Sequence, residues 1–284
     1  MIEESKSPPF DVCGPLPTGV TVLEASAGTG KTYTIAALAA RYVAEGTPLD
    51  QLLLVTFTRM ATGELRERVR ERLVAVEQGL ARSLAQAPPD GHDEVVELLA
   101  DGSAAVVQER RHRLSRALAN FDAATIATTH GFCREALGGL GIVGDIERDT
   151  TFVEDIGDLL EEVVDDLYVR RFHRGDAPSF QRKEAANIAR VAIHNPAAPI
   201  APAAGPVPEM RRRLAVAVRQ ELENRKRRLA VMTYDDLLTR LDETLTGSGG
   251  AAACARLRDC YSVVLVDEFQ DTDPVQWDIV HRAF

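Results

Sequence analysis

Four cysteines, Cys13, Cys133, Cys254 and Cys260, are spread over 284 residues without a single C-x-x-C pair. That spacing indicates neither a structural zinc site nor a disulfide framework, and leaves the thiols as small buried apolar groups. No run approaches the roughly 20 apolar residues that a membrane span requires. The opening "MIEESKSPPF" has neither a basic start nor an apolar core of signal-peptide length, so a cytoplasmic protein with no membrane role is expected. A general excess of basic charge is also missing. The formal charge is -10, which excludes a basic coat, so any polyanion must be met by a local groove. No internal repeat is evident. What remains is an ordinary globular composition, 45% hydrophobic, in a chain long enough for one large domain or two smaller ones.

Strand-like and helix-like segments alternate at both ends of the chain, and the middle reads as helical. "VTVLEAS" at 20–26 has the pattern of a buried strand, and "KTYTIAALAARYVAEG" from Lys31 that of an alanine-rich helix closed by Gly46. "QLLLVTFT" at 51–58 is a second apolar strand. The helix after it places Leu65, Val69, Leu73 and Val76 on one face and most of its arginines elsewhere. "ATIATTH" at 124–130 and "YSVVLVDE" at 261–268 complete the strand set. Between the last two, Thr151 and Glu154 have capping-box spacing ahead of an amphipathic acidic helix. "HNPAAPIAPAAGPVPEM" at 194–210 is too rich in proline for a regular helix, and 211–229 is basic and helical in pattern. "DETLTGSGGAAA" at 242–253 is a further flexible break. The expected fold is a parallel α/β P-loop domain in two parts, 1–137 and 231–284, interrupted by a mostly helical subdomain at 138–230.

The chemistry begins at "ASAGTGKT", spanning Ala25, Ser26, Ala27, Gly28, Thr29, Gly30, Lys31 and Thr32. Glycines between a strand and a helix let the backbone wrap phosphate oxygens, and the helix N-terminus supplies oriented N–H groups. Lys31 can reach terminal phosphates, and the Thr32 hydroxyl can bind magnesium. A nucleotide site of this kind needs acids from a second strand. "VVLVDE" delivers Asp267 for the metal and Glu268 as general base, so ATP and Mg2+ are the expected ligands. Gln270 is read either as a sensor of the terminal phosphate or as a turn cap.

Taken together, "EASAGTGKT", "LLLVTFTRMATGELRERV", "TIATTHGFCREAL", "MTYDDLL" and "VVLVDEFQDTDPVQW", in that order, resemble the first RecA-like motor domain of UvrD/Rep-type superfamily one DNA helicases. Within that group they are most similar to the RecB branch, the beta subunits of exodeoxyribonuclease V. The resemblance implies that Lys31 and Thr32 hold phosphate and magnesium, that Asp267 and Glu268 serve metal and catalysis, and that Gln270 couples hydrolysis to movement. It also implies single-stranded DNA contacts at Thr56, Phe57, Thr58, Thr129, His130 and Phe132. Hydroxyls at strand ends suit phosphate oxygens, and an aromatic suits a base, although His130 and Phe132 also fit a helix cap and a core position. Arg59 and Met60 depart from the family pattern.

Asp235 and Asp236 are open between a second metal and a capping or salt-bridge role, and the basic segment from Arg211 to Arg228 between phosphate tracking and a solvated face. The resemblance covers only about the first quarter of such proteins and includes neither the second motor domain nor the nuclease domain, so a fragment or truncated gene product is expected, one that binds nucleotide weakly alone. The implied partners are single-stranded and double-stranded DNA ends and RecC-like and RecD-like subunits, in double-strand-break repair. Two other classes are compatible with parts of the pattern: another P-loop enzyme such as a small-molecule kinase, and a noncatalytic DNA-binding or scaffolding remnant.

Overall fold

The computed structural model describes residues 9–25, 30–141, 150–153, 155–173, 180–194, 198–202 and 204–284. These fall into two compact units, residues 1–140 with 240–284, and residues 141–239.

The first unit is built on a three-stranded parallel sheet. Strands β1 (Leu52–Thr56), β2 (Thr125–Thr128) and β5 (Val263–Val266) lie in the order β2-β1-β5. Central β1 is buried along its whole length, as a parallel strand covered on both faces should be. Its Leu52 and Leu54 face a core shared with α1 (Lys31–Glu45), α2 (Arg59–Leu84) and α4 (Ala104–Ala119). The alanines of α1, Ala36, Ala37, Ala39 and Ala40, are nearly inaccessible and allow close helix packing. On α2 the buried stripe is Leu65, Val69, Leu73, Val76 and Leu80, the face expected from the sequence with one more turn added. Gly46 closes α1 at a φ of 128°, a conformation that favours glycine.

Gly79 sits where α2 meets α3 (Glu94–Ala100), and a Cβ there would stand 2.5 Å from Val96 Cγ1. Gly79→Ala should therefore destabilise the protein by about 1 kcal/mol net, because overpacking against a stiff β-branched neighbour outweighs the gain in helix propensity. A denaturant midpoint at or above that of wild type would show that the interface can yield.

The expected strand at 20–26 is not formed. Val20 to Ala25 have no strand pairing, with Val20 72% and Val22 66% exposed; Ser26 lies outside the described residues. An apolar run becomes a strand only beside a partner, and β5 is hydrogen-bonded in register to β1 alone among the described residues. The chain just before this run is held in a different way. Buried Arg41 donates to the carbonyls of Val12 at 2.6 Å and Gly14 at 2.7 Å, and the Tyr42 hydroxyl donates to that of Pro17 at 2.7 Å.

The second unit packs α6 (Gly157–Phe172), α7 (Arg182–His194) and α8 (Pro206–Arg228) around Leu160, Val163, Val164, Val218 and Leu222, with Ala185, Ala186 and Ala189 at the contact. It also contains a short parallel pair, β3 (Thr151–Val153) with β4 (Val231–Thr233). Thr151 thus begins a strand rather than capping a helix. Its backbone N–H donates to Ala230, and α6 starts only at Gly157; Glu154 lies outside the described residues. Helix α8 also begins earlier than expected. Pro206 and Pro208 occupy its first turn, where a missing N–H removes no helical bond. The break at 242–253 narrows to three residues between α9 (Tyr234–Thr246) and α10 (Gly250–Cys260).

The basic charge of α8 is largely paired inside its own unit. Arg211 bonds Glu184 at 2.5 Å, Arg212 and Arg213 bond Glu209, and Arg225 bonds Asp166, Glu162 and Glu221. Lys226 is 6% exposed and reaches Glu223 at 2.5 Å and Asp236 at 2.7 Å. These pairs favour the bland reading of the basic helix over a phosphate track. Asp236 also accepts from Thr233 N while Thr233 Oγ1 accepts from Asp236 N, a reciprocal cap at the start of α9. Its carboxylate is thereby engaged in capping and pairing, as the structural reading of this segment expected.

Candidate functional site

Because the three strands of the first unit are parallel, their carboxyl ends emerge at one edge. Thr56 stands opposite Thr128, and Val55 opposite Val266. Asp267 continues the ladder by donating its N–H to the Val55 carbonyl at 2.8 Å. The segments after β1, β2 and β5 are therefore neighbours at strand spacings of about 4.8 Å.

Helix α1 opens at the same place. Gly30 precedes it at a φ of 92°, in the left-handed region, and no side chain among the described residues caps this end. By contrast, Thr58, Asp93, Ser103, Thr128 and Asp273 cap α2, α3, α4, α5 (Thr129–Gly139) and α11 (Pro274–Ala283). An N-terminus without a side-chain cap can accept an anion, and α6, α8 and α10 share that feature. Lys31 Nζ lies 3.3 Å from Glu268 Oε2, joining residues far apart in sequence. Thr32 follows, half-buried. Of the other glycine-loop residues, Ala25 is exposed, and Ser26, Ala27, Gly28 and Thr29 lie outside the described residues.

The acids differ in environment. Burial pushes the Asp267 carboxyl above its ordinary range, with Glu268 and Glu64 adding repulsion, while the Glu268 N–H and Lys31 pull the other way. Asp267 Oδ1 accepts that N–H at 2.9 Å. Glu268 is held below its ordinary range by hydrogen bonds from Gln270 and then Lys31. Its φ of 52° is unusual for a residue with a side chain. A half-buried carboxylate of raised pKa favours a nearby cation, and Asp267 and the Thr32 hydroxyl are each hard oxygen donors of the kind Mg2+ takes. No cluster of three His, Cys, Asp or Glu side chains stands together among the described residues. A cation held here would complete its shell with water and phosphate, which suits magnesium.

The remaining site residues separate by exposure. Thr56 is 1% exposed, its hydroxyl shared with Thr62 Oγ1 at 2.6 Å. Phe57 and Met60 are open, at 48% and 84%, and Thr58 caps α2 through Ala61 N. Thr129 and His130 are half-buried. Phe132 is fully buried, with its ring 6.3 Å from that of Tyr261 and 6.2 Å from that of Phe284. Stacking on a base, the role carried over for Phe132, finds no open ring face in this arrangement. Cys133 is buried beside it, its thiol pushed up to about 12 by desolvation, which leaves it unreactive at neutral pH.

One feature of this edge was invisible in the sequence. Tyr33, 52% exposed and two residues after Lys31, has the Arg72 guanidinium 5.1 Å from its ring centre. Arg72 is fixed by both Asp93 oxygens, at 2.5 and 2.9 Å. Only the capping position of Asp93 ahead of "EVVELL" carries a sequence signal.

Residues 12–284 match the UvrD/REP helicase N-terminal domain. The chain belongs to that family. It is 48% identical over 283 residues to the RecBCD enzyme subunit RecB of Mycolicibacterium smegmatis, covering 97% of this chain and 25% of that protein. It is 46% identical over 285 residues to the RecB of Mycobacterium tuberculosis, again over 97% and 25%. The Escherichia coli RecB is 23% identical, over 94% of this chain and 33% of its own length. The chain spans about a quarter of the length of the mycobacterial relatives it matches. The family and these relatives make it the counterpart of a RecB-like helicase motor domain, in a helix-rich α/β fold with a parallel sheet. Among the described residues no helix is long and apolar enough to cross a membrane.

Proposed function

We propose that this chain is the ATP-binding, RecA-like first motor domain of a RecB-like DNA helicase, using Mg2+ and acting in the cytoplasm on single-stranded and double-stranded DNA ends during recombinational repair. The observation that carries the reading is the meeting of Lys31, at an uncapped helix N-terminus, with Glu268, at a strand end. In this reading the α1 N–H groups and Lys31 hold the phosphates, and Thr32 and Asp267 hold the magnesium, which when bound offsets phosphate charge. Glu268 accepts a proton from the attacking water as the water oxygen bonds to the terminal phosphorus and the bond to the ADP oxygen breaks. Gln270, bonded to Glu268, is placed to relay that event to the chain that follows β5. Exposed Phe57 and Thr58, with Thr129 and His130 at the start of α5 just past the neighbouring strand, form the candidate single-stranded DNA contact. Thr56 positions that segment from beneath. The relatives' description as RecBCD enzyme subunits supports assembly with RecC-like and RecD-like partners.

The test is ATP binding and turnover by the purified chain in magnesium, with and without single-stranded DNA. Magnesium-dependent binding coupled to DNA binding is expected, with little turnover by this chain alone. Phosphoryl transfer to a small acceptor, indifferent to DNA, would replace the motor reading with that of a kinase.

A further inference from the structure

Among the described residues, every basic side chain of α8 but one is engaged. Arg211, Arg212, Arg213, Arg225, Lys226 and Arg228 pair with acids of the same unit. Arg219 donates to the carbonyls of Ala192 at 3.0 Å and Ala198 at 3.1 Å. Arg227 is exposed, and no described side chain or carbonyl pairs with its guanidinium. The acid one turn before it, Glu223, is drawn to Lys226 at 2.5 Å instead.

Arg227 lines a groove of about 620 Å³ between α8 and Ile200. The Arg219 bond to Ala198 ties the chain leading to Ile200 against α8, so the groove has a fixed wall. Its floor changes character along the helix. Ile200 and Val216, the latter 40% exposed, make one end apolar; Gln220 and Asn224 follow at helical spacing on the same face, and Arg227 closes the other end.

We propose that this groove takes an extended segment of a partner protein, one that carries a carboxylate for Arg227 and an apolar side chain for Val216 and Ile200. Val216 and Arg227 are about three helical turns apart, or about 16 Å, a span that an extended chain covers in about five residues. A guanidinium grips a carboxylate through two parallel N–H bonds. The side-chain amides of Gln220 and Asn224 both donate and accept, which matches the alternating groups of the peptide backbone between those two anchors. Nucleic acid fits less well, because a phosphate backbone presents a charge at every nucleotide and calls for a row of free cations, whereas the other cations of α8 are taken. The groove lies wholly within the second unit, so its occupancy does not depend on the nucleotide site.

The probe is the hexapeptide Leu-Thr-Ser-Thr-Ser-Glu, acetylated and amidated at its ends so that the glutamate carries its only charge, titrated into the isotope-labelled full chain. The side-chain amide resonances of Gln220 and Asn224 should shift, and a twin peptide ending in glutamine should bind about tenfold more weakly, the usual worth of a charge-assisted bond. In Arg227→Gln, a change on an exposed face, the two peptides should bind equally. Val216→Ser should weaken both and keep the preference for glutamate. No shift at millimolar peptide, equal affinity for the twins in the wild-type chain, or a preference that survives Arg227→Gln overturns the proposal. A thymidine oligonucleotide that shifts the same amides, and no longer does so in Arg227→Gln, overturns it in favour of nucleic acid.

Discussion

Lys31→Ala is expected to weaken ATP binding by about 100-fold, the loss of one charge-assisted contact to phosphate in a partly enclosed site. The side chain starts from the first position of α1 and is 29% exposed, outside the alanine-rich core that the helix buries from Ala36 onward. Thermal stability should therefore stay within about 0.5 kcal/mol of wild type, as for other substitutions that leave packing intact. The loss should be measured by calorimetry with ATP and magnesium on folded protein. ATP affinity unchanged within threefold would remove Lys31 from the phosphate site and dissolve the assignment built on it.

How much of this was legible in the sequence follows from the range of the forces involved. The acid strand was readable because "VVLV" is an apolar run ending in charge, and its register to β1 places Asp267 at the sheet edge. The α2 stripe was readable because helical period and burial agree along its length. "VTVLEAS" has the same local character as "VVLV", yet it remains unpaired and exposed at Val20 and Val22. Propensity describes a residue's fit to a sheet, and hydrogen-bond partners decide whether the sheet is there. The capping-box reading of Thr151 failed for a related reason, since Ala230, just before its strand partner β4, claims its N–H.

Within the site, residue types were easier to read than their depth. Phe57 and Phe132 both follow strand ends, and only packing separates an open ring from one enclosed by Tyr261 and Phe284. The Asp93–Arg72–Tyr33 chain could not be read at all, because it joins three elements through side chains whose spacing obeys no period. Gly30 is the described glycine-loop residue whose conformation agrees with the motif's demand, through its positive φ.

Glu268→Gln is expected to retain ATP binding while the small turnover of this chain, measured with single-stranded DNA present, falls below detection, as the loss of a positioned general base worth about 10²–10⁴-fold in rate requires. The glutamine keeps the volume and the backbone requirement of the glutamate at φ 52°, so the turn that leads to Phe269–Asp271 should survive. What changes is the acceptor. A carboxylate ionised at neutral pH can take a proton from water, and an amide cannot. Asp267 is a poor substitute because it is more buried and one of its oxygens is tied to the Glu268 N–H. Gln270 carries an amide and has no proton-accepting charge to offer. The two single variants therefore split the site by measurement: Lys31→Ala loses affinity, whereas Glu268→Gln loses rate with affinity kept. A Glu268→Gln protein that turns over within tenfold of wild type would move the base elsewhere and leave the Lys31 contact a structural ion pair.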